Sequence, residues 1–219
     1  MLSILGRLLI FARGRDGTFP AIPNLLRSPS LIYLHLPKCG GTTLNRLIEW
    51  EYSPLRIFSV DPSFFRWSYY RLLSWPARRL AGMRVFKGHM PFGIHRRLCQ
   101  PSTYITVLRE PVERVISEYF FALHYRLHPQ HKRMQHLSLE EYAATTPHDN
   151  LQCKLLAGMP SPRDFLAGEC TGETLETAKA NLASHFSLAG LTERFDETLR
   201  PSPALWERAL MRPRKWRWD

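Results

Sequence analysis

The sequence predicts an α/β fold built on a central, mostly parallel sheet flanked by helices, and three observations carry that expectation. Short apolar runs rich in β-forming residues alternate with stretches of helical periodicity, the pattern of strands joined by crossover helices. With 219 residues, 44% of them hydrophobic and 22% charged, the chain has the material for one sizeable core and reads as a single globular domain. Two of the apolar runs also lead straight into helix-starting turns, one through paired glycines and one through a proline.

Each element follows from its residues. A connector containing Pro and Ser at 20–30 leads into the run LIYLHL at 31–36, which reads as a buried strand. After a Gly-containing turn, 42–50 reads as a helix with Leu44, Leu47 and Ile48 on one face. The stretch 53–79, dense in aromatics and arginine, reads as irregular helices. Its Phe64, Phe65, Trp67, Tyr69 and Tyr70 are either core or a stacking surface for a nucleic acid. Runs at 83–87 and 104–108 read as the second and third strands. Pro111 opens a helix that continues through Tyr119 to about His124. Ser138 and Glu141 have capping-box spacing and open another helix. Helices around 150–157 and 174–184 follow, then a strand at 186–191. The domain so drawn covers 31–200, with an N-terminal helix and connector at 1–30 and a basic tail at 201–219.

A net charge of +11 suits an anionic ligand, whether a nucleotide, an acidic glycan, a nucleic acid or an anionic membrane. The four cysteines, Cys39, Cys99, Cys153 and Cys170, form no C-x-x-C pair and match no zinc spacing, so reduced thiols of a cytosolic protein are expected. The apolar stretch 2–11 is interrupted by Arg7, is too short to span a bilayer, and precedes no small-residue cleavage site. It reads as a helix packed on the domain; the alternative is an interfacial helix that brings Arg7, Arg13 and Arg15 to lipid headgroups.

Chemistry concentrates first in the segment strand–PKCGGTT–helix at 37–43. A turn between a strand and a helix N-terminus gathers unpaired backbone N–H groups at the positive end of the helix dipole. Gly40 and Gly41 allow an oxyanion close to the backbone, Lys38 adds a movable charge, and Thr42 and Thr43 add hydroxyl donors. With Cys39 between them, these residues form a nest for a phosphate-like group. The segment is not a Walker A loop, because Lys38 precedes both glycines. No apolar run ends in an Asp suited to magnesium, which disfavours a kinase or ATPase. A phosphatase loop built on Cys39 is disfavoured too, since the first downstream arginine, Arg46, already lies inside the helix.

The second segment is LREPVERVISEY at 108–119. Arg109 falls at the carboxyl end of a strand, where ligands of open α/β sheets bind. Ser117 lies about two helical turns further on. An arginine fork with a hydroxyl makes a grip for a second phosphate, although a buried structural arginine is an equal reading of Arg109 alone.

The order strand–PKCGGTT–helix, then strand–LREPVERVISEY–helix, resembles the sulfotransferases that use 3′-phosphoadenosine-5′-phosphosulfate (PAPS). It is most similar to the family containing heparan sulfate 2-O- and 6-O-sulfotransferases and their bacterial relatives. VFKGHMPFG at 85–93, DNLQCKLLAG at 149–158 and FSLAGLTERFD at 186–196 share the resemblance, which covers about residues 30 to 200.

The resemblance implies a P-loop-type three-layer sandwich, PAPS as sulfuryl donor, PAP as product and no metal. It implies that Lys38, Cys39, Gly40, Gly41, Thr42 and Thr43 grip the 5′-phosphosulfate, and that Arg109 and Ser117 grip the 3′-phosphate that distinguishes PAPS from ATP. His89, in a Gly-His pair after the second strand, matches the family's general base, a role an imidazole suits. His95, in the same loop, is the alternative, and His35 is expected to pack within its strand. Lys38 is expected to stabilise the bridging oxygen. Lys87 and Arg84 flank the base and either meet an acidic acceptor or lie on a solvated strand edge. Asn150 and Gln152 either contact the acceptor or cap the helix they begin. The implied acceptor is a polysaccharide or a lipid-linked sugar, with a bacterial cytoplasm as the expected location and no nucleic-acid partner. Relatives continue into further helices where this chain has its short basic tail, so a non-catalytic PAPS- or PAP-binding protein is the runner-up. A basic nucleic-acid binder is the third reading.

Overall fold

The structure, a computed structural model, describes residues 30–61, 65–146, 148–158 and 168–199. The expected N-terminal helix, Phe64 and the basic tail lie outside the described residues. Among the described residues, five strands form one all-parallel sheet, in the spatial order 57–60, 85–88, 30–34, 102–108 and 186–191. In chain order the elements are β1 (Ser30–Leu34), α1 (Gly41–Glu51), β2 (Ile57–Val60), α2 (Phe65–Ser74), α3 (Ala77–Leu80), β3 (Val85–Gly88) and β4 (Ser102–Leu108). Then come α4 (Pro111–His124), α5 (His131–Met134), α6 (Leu139–Thr145), α7 (Leu151–Ala157), α8 (Gly172–His185), β5 (Phe186–Leu191) and α9 (Phe195–Leu199).

Alternation along buried strands sends side chains to two cores, one on each face of the sheet. Ile32, Leu34, Phe86, Tyr104 and Leu108 point to one face, where Leu72 of α2, Leu151 and Leu155 of α7, and Leu175 of α8 cover them. Leu31, Tyr33, Val85, Ile105 and Val107 point to the other, under Leu44 and Ile48 of α1. The result is a three-layer sandwich. A satellite cluster joins Tyr119 and Ala122 of α4 to Met134 of α5 and Tyr142 of α6.

One expected element changes. The stretch 53–79 reads in sequence as irregular helices, yet Ile57–Val60 is the edge strand β2, paired in parallel with β3. Its IFSV sequence is only four residues long, between Pro54-Leu55-Arg56 and Asp61-Pro62, so its period of two is too short to stand out. Among the aromatics of α2, Tyr69 is buried while Trp67 and Tyr70 are exposed. All four cysteines are free thiols.

The strand order creates the crevice. From central β1 the chain moves outward to β2 and returns through β3; it then crosses to β4 on the other side of β1. The connections therefore diverge at the carboxyl ends of β1 and β4, the place where open α/β sheets bind ligands. Both motif turns start there.

Candidate active site

The turn after β1 is strained on purpose-suited residues. Lys38 is left-handed at φ 65° and Gly40 at φ 69°. For a lysine that conformation costs about 1–3 kcal/mol and persists only where neighbours hold it. Arg109 does so, donating from Nη1 to the Lys38 carbonyl at 3.2 Å. Beyond Gly40, α1 begins with no side-chain cap and no acidic residue in its first turn. Gly40, Thr42 and Thr43 are exposed. The eleven-residue helix thus presents open N–H groups and hydroxyls to solvent at its positive end.

Gly41 has a different reason to be glycine. A Cβ there would lie 2.0 Å from His35 Nε2 and 2.5 Å from the Tyr33 hydroxyl. The residue is needed for a close approach of helix and imidazole, and of the two glycines only Gly40 is left-handed.

Gln152 ties the two motifs together. Its buried amide accepts from the Arg109 N–H at 3.0 Å and donates to the Arg109 carbonyl at 2.8 Å. The same Oε1 lies 3.4 Å from Cys39 Sγ, whose thiol burial pushes up to about 12. Gln152 is thus placed as an internal strut, with its amide occupied by protein. Asn150, left-handed at φ 47°, precedes α7 without a side-chain cap bond; its Nδ2 donates to Asp149 Oδ2 at 3.4 Å.

The turn after β4 is built differently. Pro111 starts α4, Glu110 accepts the Glu113 N–H at 2.9 Å, and Glu193 accepts the Glu110 N–H at 2.9 Å. Arg109 also sits 3.5 Å from Glu113. Ser117 is half-buried on α4, one turn before Phe121, so the two share a face. The Lys38 ammonium lies 3.8 Å from the centre of the Phe121 ring. Burial lowers the Lys38 pKa, partly opposed by the Glu118 carboxylate and aided by Arg109.

Beneath Lys38 is a buried charged network that sequence reading did not single out. Arg114 Nη1 donates to Glu118 Oε2 at 2.7 Å and its Nη2 to the His148 carbonyl at 3.0 Å, while His148 Nδ1 contacts Glu118 Oε1. Burial alone would raise the Glu118 carboxyl; the bond from His148 and the Arg114 charge win and hold it below the usual carboxylate range. The i,i+4 spacing of Arg114 and Glu118 was visible in the sequence, but their burial was not.

On the other side of the crevice, His89 follows β3 with its ring 4.5 Å from that of His35. Burial pushes His89 down to about 4, with Asp61 pulling it upward. His95 is placed elsewhere. Its Nδ1 pairs with the Tyr104 hydroxyl at 2.9 Å, and its ring lies 5.0 Å from Phe92 and 4.7 Å from His185. Tyr104 precedes Leu108 by four residues, about 13 Å of strand away from the crevice. Lys87 is buried rather than on a solvated edge, and it contacts Asn45 and Glu49. Arg84 is exposed just before β3. Among the described residues, no group of three or more His, Cys, Asp or Glu is placed to hold a metal ion, and no helix is long and apolar enough to cross a membrane.

No curated protein matches the chain. A family model described as "Sulfotransferase family" matches residues 26–187, a span that contains both motif turns, His89 and the Gln152 strut. With well over half of its length matched and an all-parallel sheet that brings the two motif turns to one crevice, the chain belongs to the sulfotransferase family.

Proposed function

We propose that the chain transfers a sulfuryl group from PAPS to a hydroxyl of a carbohydrate acceptor, a polysaccharide or lipid-linked sugar, with His89 as general base. The observation that carries this reading is the coupling of two grips: the open nest at residues 38–43 and the Arg109 turn share Gln152, and the Arg109 guanidinium holds the Lys38 carbonyl.

The residues present fit such a donor. The first turn of α1 offers N–H and hydroxyl donors with no carboxylate among them, and Lys38 and Arg109 add two positive charges. That set suits a phosphosulfate and a separate phosphate monoester. When bound, PAPS supplies the sulfuryl group and a phosphate leaving group. The N–H groups of 40–43 hold and orient the anion, and Lys38 moves from Phe121 to neutralise charge at the bridging oxygen. Arg109 and Ser117 take the 3′-phosphate. His89, kept unprotonated at neutral pH by burial, is in the form that accepts the hydroxyl proton. Negative charge brought into the crevice raises its basicity as the proton moves. Acceptor class rests on the family resemblance alone.

The test is calorimetric titration of PAP into wild type and Arg109→Ala, with ATP as control. PAP should bind much more tightly than ATP. The variant should lose about thirtyfold in affinity, the worth of one charge-assisted hydrogen bond of about 2 kcal/mol. A folded wild type that ignores PAP overturns the reading. Salt-dependent oligonucleotide binding that PAP does not displace would then favour the nucleic-acid alternative.

A further inference from the structure

His35, expected to pack within its strand, directly follows β1 and sets its half-buried ring against Tyr33 and His89. Its backbone N–H donates to the Gly88 carbonyl at 3.0 Å, which sets residue 35 beside the Gly-His pair that ends β3. The imidazole stacks at 5.3 Å on Tyr33, lies 4.5 Å from the His89 ring, and occupies the space a Cβ on Gly41 would need. A ring walled by Tyr33, the first residue of α1 and His89 has little room to turn.

The protonation of that ring follows from its neighbours. Lys87 is buried, and its ammonium, which can only donate, reaches Asn45 Oδ1 at 3.1 Å and Glu49 Oε1 at 2.6 Å. The Asn45 amide oxygen is therefore committed to Lys87. Its Nδ2, a donor only, faces His35 Nδ1 at 3.3 Å. Nδ1 must accept, which leaves the ring proton on Nε2, the edge that abuts Gly41. Burial first, then His89 and Lys87, push His35 down to about 3, so the ring stays neutral and in this single tautomer.

We propose that His35 is the positioning residue for His89: the chain Lys87–Asn45–His35 locks one imidazole in a fixed tautomer, and that imidazole, lodged against the first residue of α1, fixes the orientation of the base. The proposal rests on the reading of His89 as base, and it assigns Lys87 a role through Asn45 rather than on the acceptor. A ring that merely fills space would be indifferent to its tautomer, and this one would not.

The experiment compares wild type with Lys87→Met, which keeps the buried stem and removes the donor on Asn45; Asn45→Leu serves if that variant does not fold. Long-range ¹H–¹⁵N spectra of the imidazoles in the free chain read the tautomers directly. Wild-type His35 should be protonated only on Nε2, whereas the variant should show both tautomers and shifted His89 signals. PAP affinity should be unchanged. Hydrolysis of PAPS, with water as acceptor, should lose about tenfold in kcat at constant KM, the lower range of what a partner fixing an imidazole contributes. His35 protonated on Nδ1 in wild type, or a variant with wild-type His89 signals and PAPS hydrolysis, overturns the relay. Absence of PAP binding in wild type would instead strike the sulfuryl-transfer reading, while the free-chain spectra would still judge the relay.

Discussion

The turns after β1 and β4 make the same connection, from a parallel strand to a helix at one crevice, and handle the helix N-terminus in opposite ways. After β1 the chain uses a left-handed lysine and glycine, leaves α1 without a side-chain cap, and turns its backbone N–H groups outward. After β4 it uses Pro111, caps α4 with Glu110, and satisfies the Glu110 N–H with Glu193. The first turn can offer its backbone to an anion. The second has already given its backbone to carboxylates and can offer only side chains, Arg109 and Ser117. A helix N-terminus keeps its backbone donors open only where the sequence withholds the cap.

The comparison breaks most sharply at Gly41. Gly41→Ala places a Cβ 2.0 Å from His35 Nε2 and 2.5 Å from the Tyr33 hydroxyl. Urea unfolding should show a loss of about 3 kcal/mol, typical of overpacking where neighbours cannot give way. A wild-type midpoint would mean the imidazole moves freely.

Acid should separate the two regions in pH. His35 and His89 are held neutral by burial, so the unfolded chain binds protons that the folded chain refuses below their ordinary value of 6.5. Stability should fall as pH drops from 6.5 toward about 4, by about 1 kcal/mol per pH unit for each imidazole. Glu118, held below its ordinary 4.5, stabilises the fold above that value and loses its contribution only at lower pH. Urea midpoints between pH 7 and 5 should therefore decline in wild type and decline less steeply in a His35→Phe variant, where His89 still contributes. An identical slope in the two would remove His35 from the account.

The smallest effect belongs to the sealed turn. Glu110→Ala removes the bond to the Glu113 N–H and should cost about 1 kcal/mol with PAP affinity unchanged. A large change in PAP affinity would show that the second turn's backbone also takes part in binding.

Much of this was legible in advance because it is local. PKCGGTT and LREPVERVISEY place glycine, lysine, proline and arginine at set offsets from strand ends, and the helix over Pro111–His124 and the strand over Phe186–Leu191 have the limits their periodicity indicates. The short strand β2 escaped because four residues carry too little period to compete with the aromatics around them. His95 looked close to His89 in sequence, and the turn at Ile94–Arg97 carries it to Tyr104 instead.

By itself, then, the sequence determined the alternation of strand and helix and the residues of the two turns, an uncapped glycine turn after one strand and a proline start after another. Only the tertiary structure decided that Gln152 joins Cys39 and Arg109 across separations of 113 and 43 residues. It alone decided that Lys87 is a buried donor to Asn45, and that His35 rather than His95 stands beside His89. The physical reason is that residue spacing sets the face on which a side chain lies, whereas its partner depends on strand order and register, which put β3 and β4 on opposite sides of β1.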